Sequence, residues 1–340
     1  MKKSLLCISL LLSTAIYAAG PGYQVIKKIQ LGGEGGWDYL TVDDEARRLY
    51  VSRSTHVMVV DLNSDKLIGD IHDTPGVHGI AVAPELNRGF ISCGRANNVI
   101  IFDLKTLQIL DQVATGKNPD AILYDQTSQQ VFAFNGRSHD ATVFNAATAA
   151  ITGSIPLGGK PEFSMADGKG HVYVNIEDLS EVVQIDSKKL KVNKRFPIKP
   201  GEEPSGMALD ARHHRIYSGC GNNLMTILDI HTGNLLGTVP IGEGVDGCGF
   251  DPSMGLAFSS NGEGTLTVVG ESSGKFEVAE TVPTQRGART MTIDPATHLI
   301  YLPTAEFEPE TTPPPESARQ RPPMVKDSFV ILVVGREDHK

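Results

Sequence analysis

The chain has 340 residues, 40 acidic against 31 basic, and a formal net charge of −9. That balance disfavours unspecific attraction to phosphate backbones and anionic membrane surfaces. The length suits one large β domain or two ordinary domains, and past the N-terminal segment no apolar run approaches the 18 or so residues that a membrane-spanning helix needs.

Lys2 and Lys3 precede an apolar run from Leu5 to Ile16, and small residues follow at Ala18 and Ala19. Residues 1–19 therefore read as a secretory signal peptide, too short to span a bilayer, with cleavage after Ala18 or Ala19. The expected product is a soluble periplasmic or secreted protein. Without the two lysines, 29 basic residues face 40 acidic ones and the charge becomes −11. Three cysteines remain, Cys93, Cys220 and Cys248. An oxidising compartment allows one bridge, such as Cys220–Cys248, while three small buried side chains is the simpler reading.

The first predicted element is "YQVIKKIQL", Tyr23 to Leu31, an alternating strand with no hairpin partner just before it. A repeat follows. Short strands end in a turn residue at Asp43, Pro84, Asp125, Asp167, Asp210, Asp251 and Asp294, at steps of 41 to 43 residues. Asp opens a tight turn by bonding its own backbone two residues on, and Pro presets φ for one. Each anchor is followed by a second strand ("RLYVSRS", "HVYVNIE") and a third ("VMVVDL", "VVQIDS"). In most units a fourth strand and a Gly/Pro-rich link come next. Four strands per period of about 42 residues is the mark of a β-propeller. The fold class is thus all-β, seven blades of four strands. The last unit has only three strands, so the N-terminal strand is predicted to pair with Phe329–Val334 and close the ring. Residues 20–340 read as one propeller domain. Residues 305–326, with six prolines between Thr304 and Ser328, read as an insertion in blade 7 that cannot pair regularly.

The strands "LYVSRS" and "VYVNIE", with "GKNPDAILYD" and "GEEPSGMALD" upstream, resemble the YVTN repeat of exported bacterial seven-bladed propellers, the YncE-like group. The resemblance spans Tyr23 to Gly335. It implies the fold and export, and it encodes no single reaction. Blades 2 and 6 depart from the pattern, with Pro84 in place of the anchor Asp and "AFSSNG" lacking the Tyr.

In such a ring the first strands line the central channel, and the links between blades surround its mouth. Five positions before the anchors stand Asp38, Gly79, Asp120, Glu162, Ser205, Asp246 and Arg289, with Trp37 and His78 one position earlier in blades 1 and 2. Converging carboxylates repel unless a cation, a proton or Arg289 relieves them. The arrangement suits a Ca²⁺-like divalent cation or an acid/base pair, and equally a solvated funnel. On the same face Arg53, Arg95 and Arg137 occupy near-equivalent loops of blades 1 to 3, with His56 and His139 beside them. They predict a basic arc for a carboxylate, a phosphate or a nucleic-acid strand, opposite Glu177, Asp178, Glu181 and Glu263.

Three functions fit. The first is a monomeric, noncatalytic protein that binds a small molecule, peptide or protein on the loop face. The second is a hydrolase resembling propeller lactonases. It would be built on Asp38, Asp120, Glu162 and Asp246, with His78 moving protons and Arg289 holding a substrate anion. The third is single-stranded nucleic-acid binding along the arginines, which the acidic charge disfavours. No H-E-x-x-H, P-loop or C-x-x-C-H is present to name a chemistry.

Overall fold

The computed structural model describes residues 20–309 and 323–336. The predicted leader, residues 1–19, and the centre of the Pro-rich insertion, 310–322, lie outside the described residues. The strands form seven antiparallel sheets of four, a seven-bladed propeller. No described helix is long and apolar enough to cross a membrane.

Blade 1 shows why the sequence makes a blade. Leu40–Asp43, Arg48–Arg53, His56–Asp61 and Lys66–Ile71 pair in chain order. The second and third strands are β-branched and apolar on both sides, and nearly every residue is buried, because neighbouring blades cover both faces. The outer strand is mostly exposed and buries only its last residue, Ile71. Seven apolar clusters fill the seven junctions between adjacent blades.

The turn anchors act as their chemistry requires. The Asp43 carboxylate accepts a hydrogen bond from the Ala46 amide at 2.9 Å, and Asp125 accepts one from Ser128 at 3.1 Å. Blade 2 differs. Ala83 pairs with Arg88 there as Asp43 pairs with Arg48, so Ala83, not Pro84, is the equivalent of the aspartates. Pro84 instead starts a short 3₁₀ turn that ends at Asn87 in the left-handed region, φ 52°, which Asn tolerates.

Blade 7 consists of Thr292–Ile293, Ile300–Thr304, Val330–Arg336 and the N-terminal Tyr23–Gln30. The closing pair runs from Tyr23 opposite Arg336 to Gln30 opposite Val330, with a bulge between Val25 and Lys27. Tyr23 packs edge-on against Phe258 of blade 6 at 5.2 Å, and the Gly22 and Tyr23 amides both donate to the Glu280 carboxylate at 3.0 Å. Arg47 reaches from blade 1 to the buried Asp294 of blade 7 at 2.7 Å. The described ends of the insertion approach each other as a bridge between Phe307 and Met324.

The bridge allowed between Cys220 and Cys248 does not form. Cys93, Cys220 and Cys248 are all free and buried, and burial pushes each thiol up to about 12. Such thiols stay protonated and unreactive at neutral pH.

Candidate functional site

The inner strands enclose a channel cavity of about 380 Å³ with largely apolar walls, among them Val42, Ile80, Ile122, Phe163, Met207 and Met291. Polar chemistry gathers where these strands begin. Leu40, Ile80 and Ile122 occupy equivalent places, paired with Val51, Ile91 and Ala133. The residues two positions earlier are Asp38, His78 and Asp120. The one-residue slip at Ala83 therefore puts His78, not Gly79, in the ring. The ring reads Asp38, His78, Asp120, Glu162, Ser205, Asp246 and Arg289, polar in every blade.

Six of the seven are linked in one chain of contacts. The Ser205 hydroxyl donates to Asp246 at 2.5 Å. Asp246 pairs with Arg289 Nη1, and Arg289 Nη2 lies 3.2 Å from Asp38 Oδ1. His78 Nδ1 lies 2.7 Å from Asp38 Oδ2 and 3.3 Å from Asp120 Oδ1. Glu162 stands outside this chain and pairs with Lys160 at 2.7 Å, which also contacts Glu177. Thus the ring neighbours Asp120 and Glu162 are held by different cations, His78 and Lys160.

The ring is held from behind. The Ser52 hydroxyl accepts from the Asp38 amide at 2.9 Å, and Ser92 donates to the Asp120 carbonyl at 2.5 Å. Asn175 donates to the Ser205 carbonyl at 2.9 Å and Ser260 to the Arg289 carbonyl at 2.6 Å. All four supports are fully buried on second strands. Such buried partners fix the geometry of the groups in front of them. Sequence reasoning missed them, although a small polar residue recurs inside otherwise apolar strands ("YVSR", "FISC", "YVNI", "FSSN"). It also missed Lys160 and Tyr39. Tyr39 is buried beside Phe163 at 4.9 Å between ring centroids. Burial, then Glu162, Asp38 and Asp120, raise its phenol well above the ordinary value, so it remains a donor.

Burial raises the Asp120 carboxyl to about 6. Burial, then repulsion from Asp120, raises Glu162 to about 7. Burial opposes the charge on His78, but the Asp38 hydrogen bond and the nearby carboxylates outweigh it and lift the imidazole to about 9. Likewise burial opposes the Lys160 charge, and Glu162 and Glu177 reverse the sign. At neutral pH an imidazolium thus bridges two carboxylates, while beside it Glu162 pairs with the Lys160 ammonium.

These shifts fix how stability follows pH. Asp120 and Glu162 ionise less readily in the fold than unfolded, so the fold loses stability as pH rises from about 4 through about 6 and 7. His78 holds its proton more tightly in the fold. Its contribution is complete below about 6.5 and is lost as pH rises through about 9. All three act in one direction, so the metal-free protein is expected to melt at a higher temperature near pH 5 than near pH 9. Glu162→Gln is expected to flatten the lower part of that profile. Melting curves at constant ionic strength check both; a melting temperature that climbs with pH over this range would reverse the assigned signs.

Asp38, His78 and Asp120 could hold a metal ion: one ligand atom from each lies within 4.8 Å of the others. Trp37 does not join them. Its ring is buried between Phe307 and Phe329, and only its carbonyl approaches Arg289, at 3.4 Å.

The predicted basic arc is shorter than the sequence suggested. Arg53 is fully buried. Its guanidinium donates to the carbonyls of Gly32, Glu34 and Gly35 at 2.9–3.0 Å and lies 3.6 Å from the centre of the Phe329 ring. It fastens the Gly32–Gly36 loop and is not available to a ligand. Arg95 and Arg137 are exposed.

No family model matches the chain, and no curated protein matches it.

Proposed function

We propose that the chain is an exported, periplasmic, monomeric binding protein of the YVTN-repeat, YncE-like kind. Its ligand is held at the channel mouth by a divalent cation. The observation that carries this reading is the trio Asp38, His78 and Asp120, with converging ligand atoms. One imidazole among carboxylates suits Zn²⁺, Mn²⁺ or another transition ion better than Ca²⁺, which takes oxygen ligands. Metal binding would displace the His78 proton, so affinity rises with pH. The leader pattern of residues 1–19 supports export, and a propeller fold with a rigid polar rim supports a binding role.

Elemental analysis of protein purified from the periplasm without chelator is expected to find about one equivalent of transition metal, matching a single three-ligand site. Asp120→Asn is expected to lose it. No metal in the parent, together with no thermal shift on titration with Zn²⁺ or Mn²⁺, would sink the reading.

A hydrolase is the second reading. It is favoured by one observation: Asp120, Glu162 and His78 span carboxyl and imidazole values of about 6, 7 and 9 in one cluster. Groups poised near neutrality serve general acid/base catalysis. Lactone hydrolysis that survives in Asp120→Asn would remove this alternative. Nucleic-acid binding is the weakest reading, because burial of Arg53 breaks the arginine track.

A further inference from the structure

Beside the ring, between blades 2 and 3, lies a cavity of about 340 Å³ lined by Gly94, Arg95, Asn97, Lys117, Asn118 and Arg137. Arg95 and Arg137 come from the hairpin loops that follow Arg88–Cys93 and Gln130–Asn135, and Lys117 from the link between the blades. Three cations thus converge from three loops of an acidic protein. No carboxylate lines the cavity, and none of the three cations makes an ion pair among the described residues. The next sector does the opposite: Lys160 is held by Glu162 and Glu177, and Arg195 by Glu181. The nearby Asp140 is already engaged by Asn135, Ser138 and Ser154.

The loops are fixed before any ligand arrives. The Arg137 amide donates to the Lys117 carbonyl at 3.1 Å and the Gly136 amide to the Asn118 carbonyl at 2.8 Å. The Lys117 amide donates to Ser138 Oγ at 2.9 Å, and the Asn118 amide to Asn97 Oδ1 at 2.8 Å. The stem of Arg95 lies against Gly76, where a Cβ would come within 2.6 Å of Arg95 Cγ. The three side chains are exposed, and like charges gathered on a fixed backbone frame with no counter-charge in the lining make a local positive potential that attracts an anion.

We infer that this pocket binds a small multiply charged anion, one that presents clustered anionic oxygens such as those of a phosphate ester or a di- or tricarboxylate. Arg95 and Arg137 supply forked donors and Lys117 a point charge. Asn97 spends its amide oxygen inside the loop and keeps its amide nitrogen as a donor. The volume admits a small molecule rather than a bare ion. The buried Arg53 denies a strand the neighbouring contact it would need. The pocket adjoins the ring: a Cβ at Gly94 would lie 2.9 Å from Asn118 Oδ1 and 3.0 Å from His78 Nε2.

Titration calorimetry at low ionic strength, with pyrophosphate and with citrate as separate probes, tests the assignment. One saturable site is expected for at least one probe, and which one answers separates phosphate from carboxylate ligands. Arg95→Glu/Arg137→Glu, and independently Lys117→Glu, are expected to weaken binding at least tenfold. Arg212→Glu, an exposed charge reversal on a turn at the other end of blade 5, is expected to keep parental affinity. The inference is overturned if neither probe saturates, if the pocket variants bind like the parent, or if Arg212→Glu weakens binding as much as they do. It is also overturned if a single-stranded oligonucleotide binds while both small anions fail.

Discussion

Replacing Arg53 with alanine is expected to lower the melting temperature by about 10 °C. The substitution strips donors from the carbonyls of Gly32, Glu34 and Gly35 and removes the cation stacked on Phe329. A buried acceptor left without a partner costs about 1–3 kcal/mol and a desolvated cation–π contact contributes about 1–2 kcal/mol, so about 4 kcal/mol in total is a modest expectation. In a domain of this size each kcal/mol moves the melting temperature by about 2 °C or slightly more. Burial lowers the guanidinium to about 10, so it remains charged at neutral pH. Arg53→Lys is expected to recover only part of the loss, since one ammonium group cannot reproduce a planar fork spread over three carbonyls. Thermal melts of the two variants check this. A variant that melts within about 2 °C of the parent would show that the Gly32–Gly36 loop needs no fastening.

Removing residues 20–31 is expected to have an effect of similar size and a different character. The strand Tyr23–Gln30 buries Tyr23 and Ile29 almost completely, worth about 1.5–3 kcal/mol each. Its loss also uncovers the backbone edge of Val330–Arg336, the kind of edge that recruits other chains. A fall of about 10 °C is expected, together with aggregation that grows with protein concentration. A synthetic peptide of residues 22–31 supplied in trans is expected to restore part of the stability by adding itself as the missing strand. A truncated protein that melts and sediments like the parent would mean that this strand does not hold the ring closed.

The fold was legible because a propeller repeats its physics. Each blade needs the same tight turn after its first strand, and an aspartate at nearly constant steps is the visible trace of that need. The closing strand was legible as a remainder, one unpaired strand and one blade short of a strand. The single slip came at Pro84, which looks like a turn anchor but opens a 3₁₀ turn one residue beyond the anchor site. Spacing alone placed most of the ring, since residues a fixed distance before the turn share one end of the inner strands. Spacing could not reveal burial. Arg53 ends its strand where Cys93 and Asn135 end theirs, two residues short of the positions of Arg95 and Arg137, and the glycine-rich run Gly32–Gly36 folds over it and offers carbonyls, a contact between segments that periodicity does not encode. Trp37 went the same way, drawn into the apolar junction of blades 7 and 1 by Phe307 and Phe329. The buried serines and Asn175 behind the ring were hidden because a lone polar residue in a strand shows its partner only in three dimensions.

The placement of Tyr23–Gln30 on Val330–Arg336 has a consequence for the order of assembly. Six of the seven sheets are successive hairpins, so each can form from its own stretch of chain as soon as that stretch exists. The seventh joins residues from opposite ends of the described chain and must wait for both. Such a long-range contact is the slow kind, because loop closure precedes its reward. The site rim spans this junction, since Asp38 follows the closing strand and Arg289 precedes the rest of blade 7. Six blades can therefore be in place while Asp38 and Arg289 remain apart. The polar ring becomes continuous only when the seventh blade closes, which ties the appearance of a working mouth to the last step of folding.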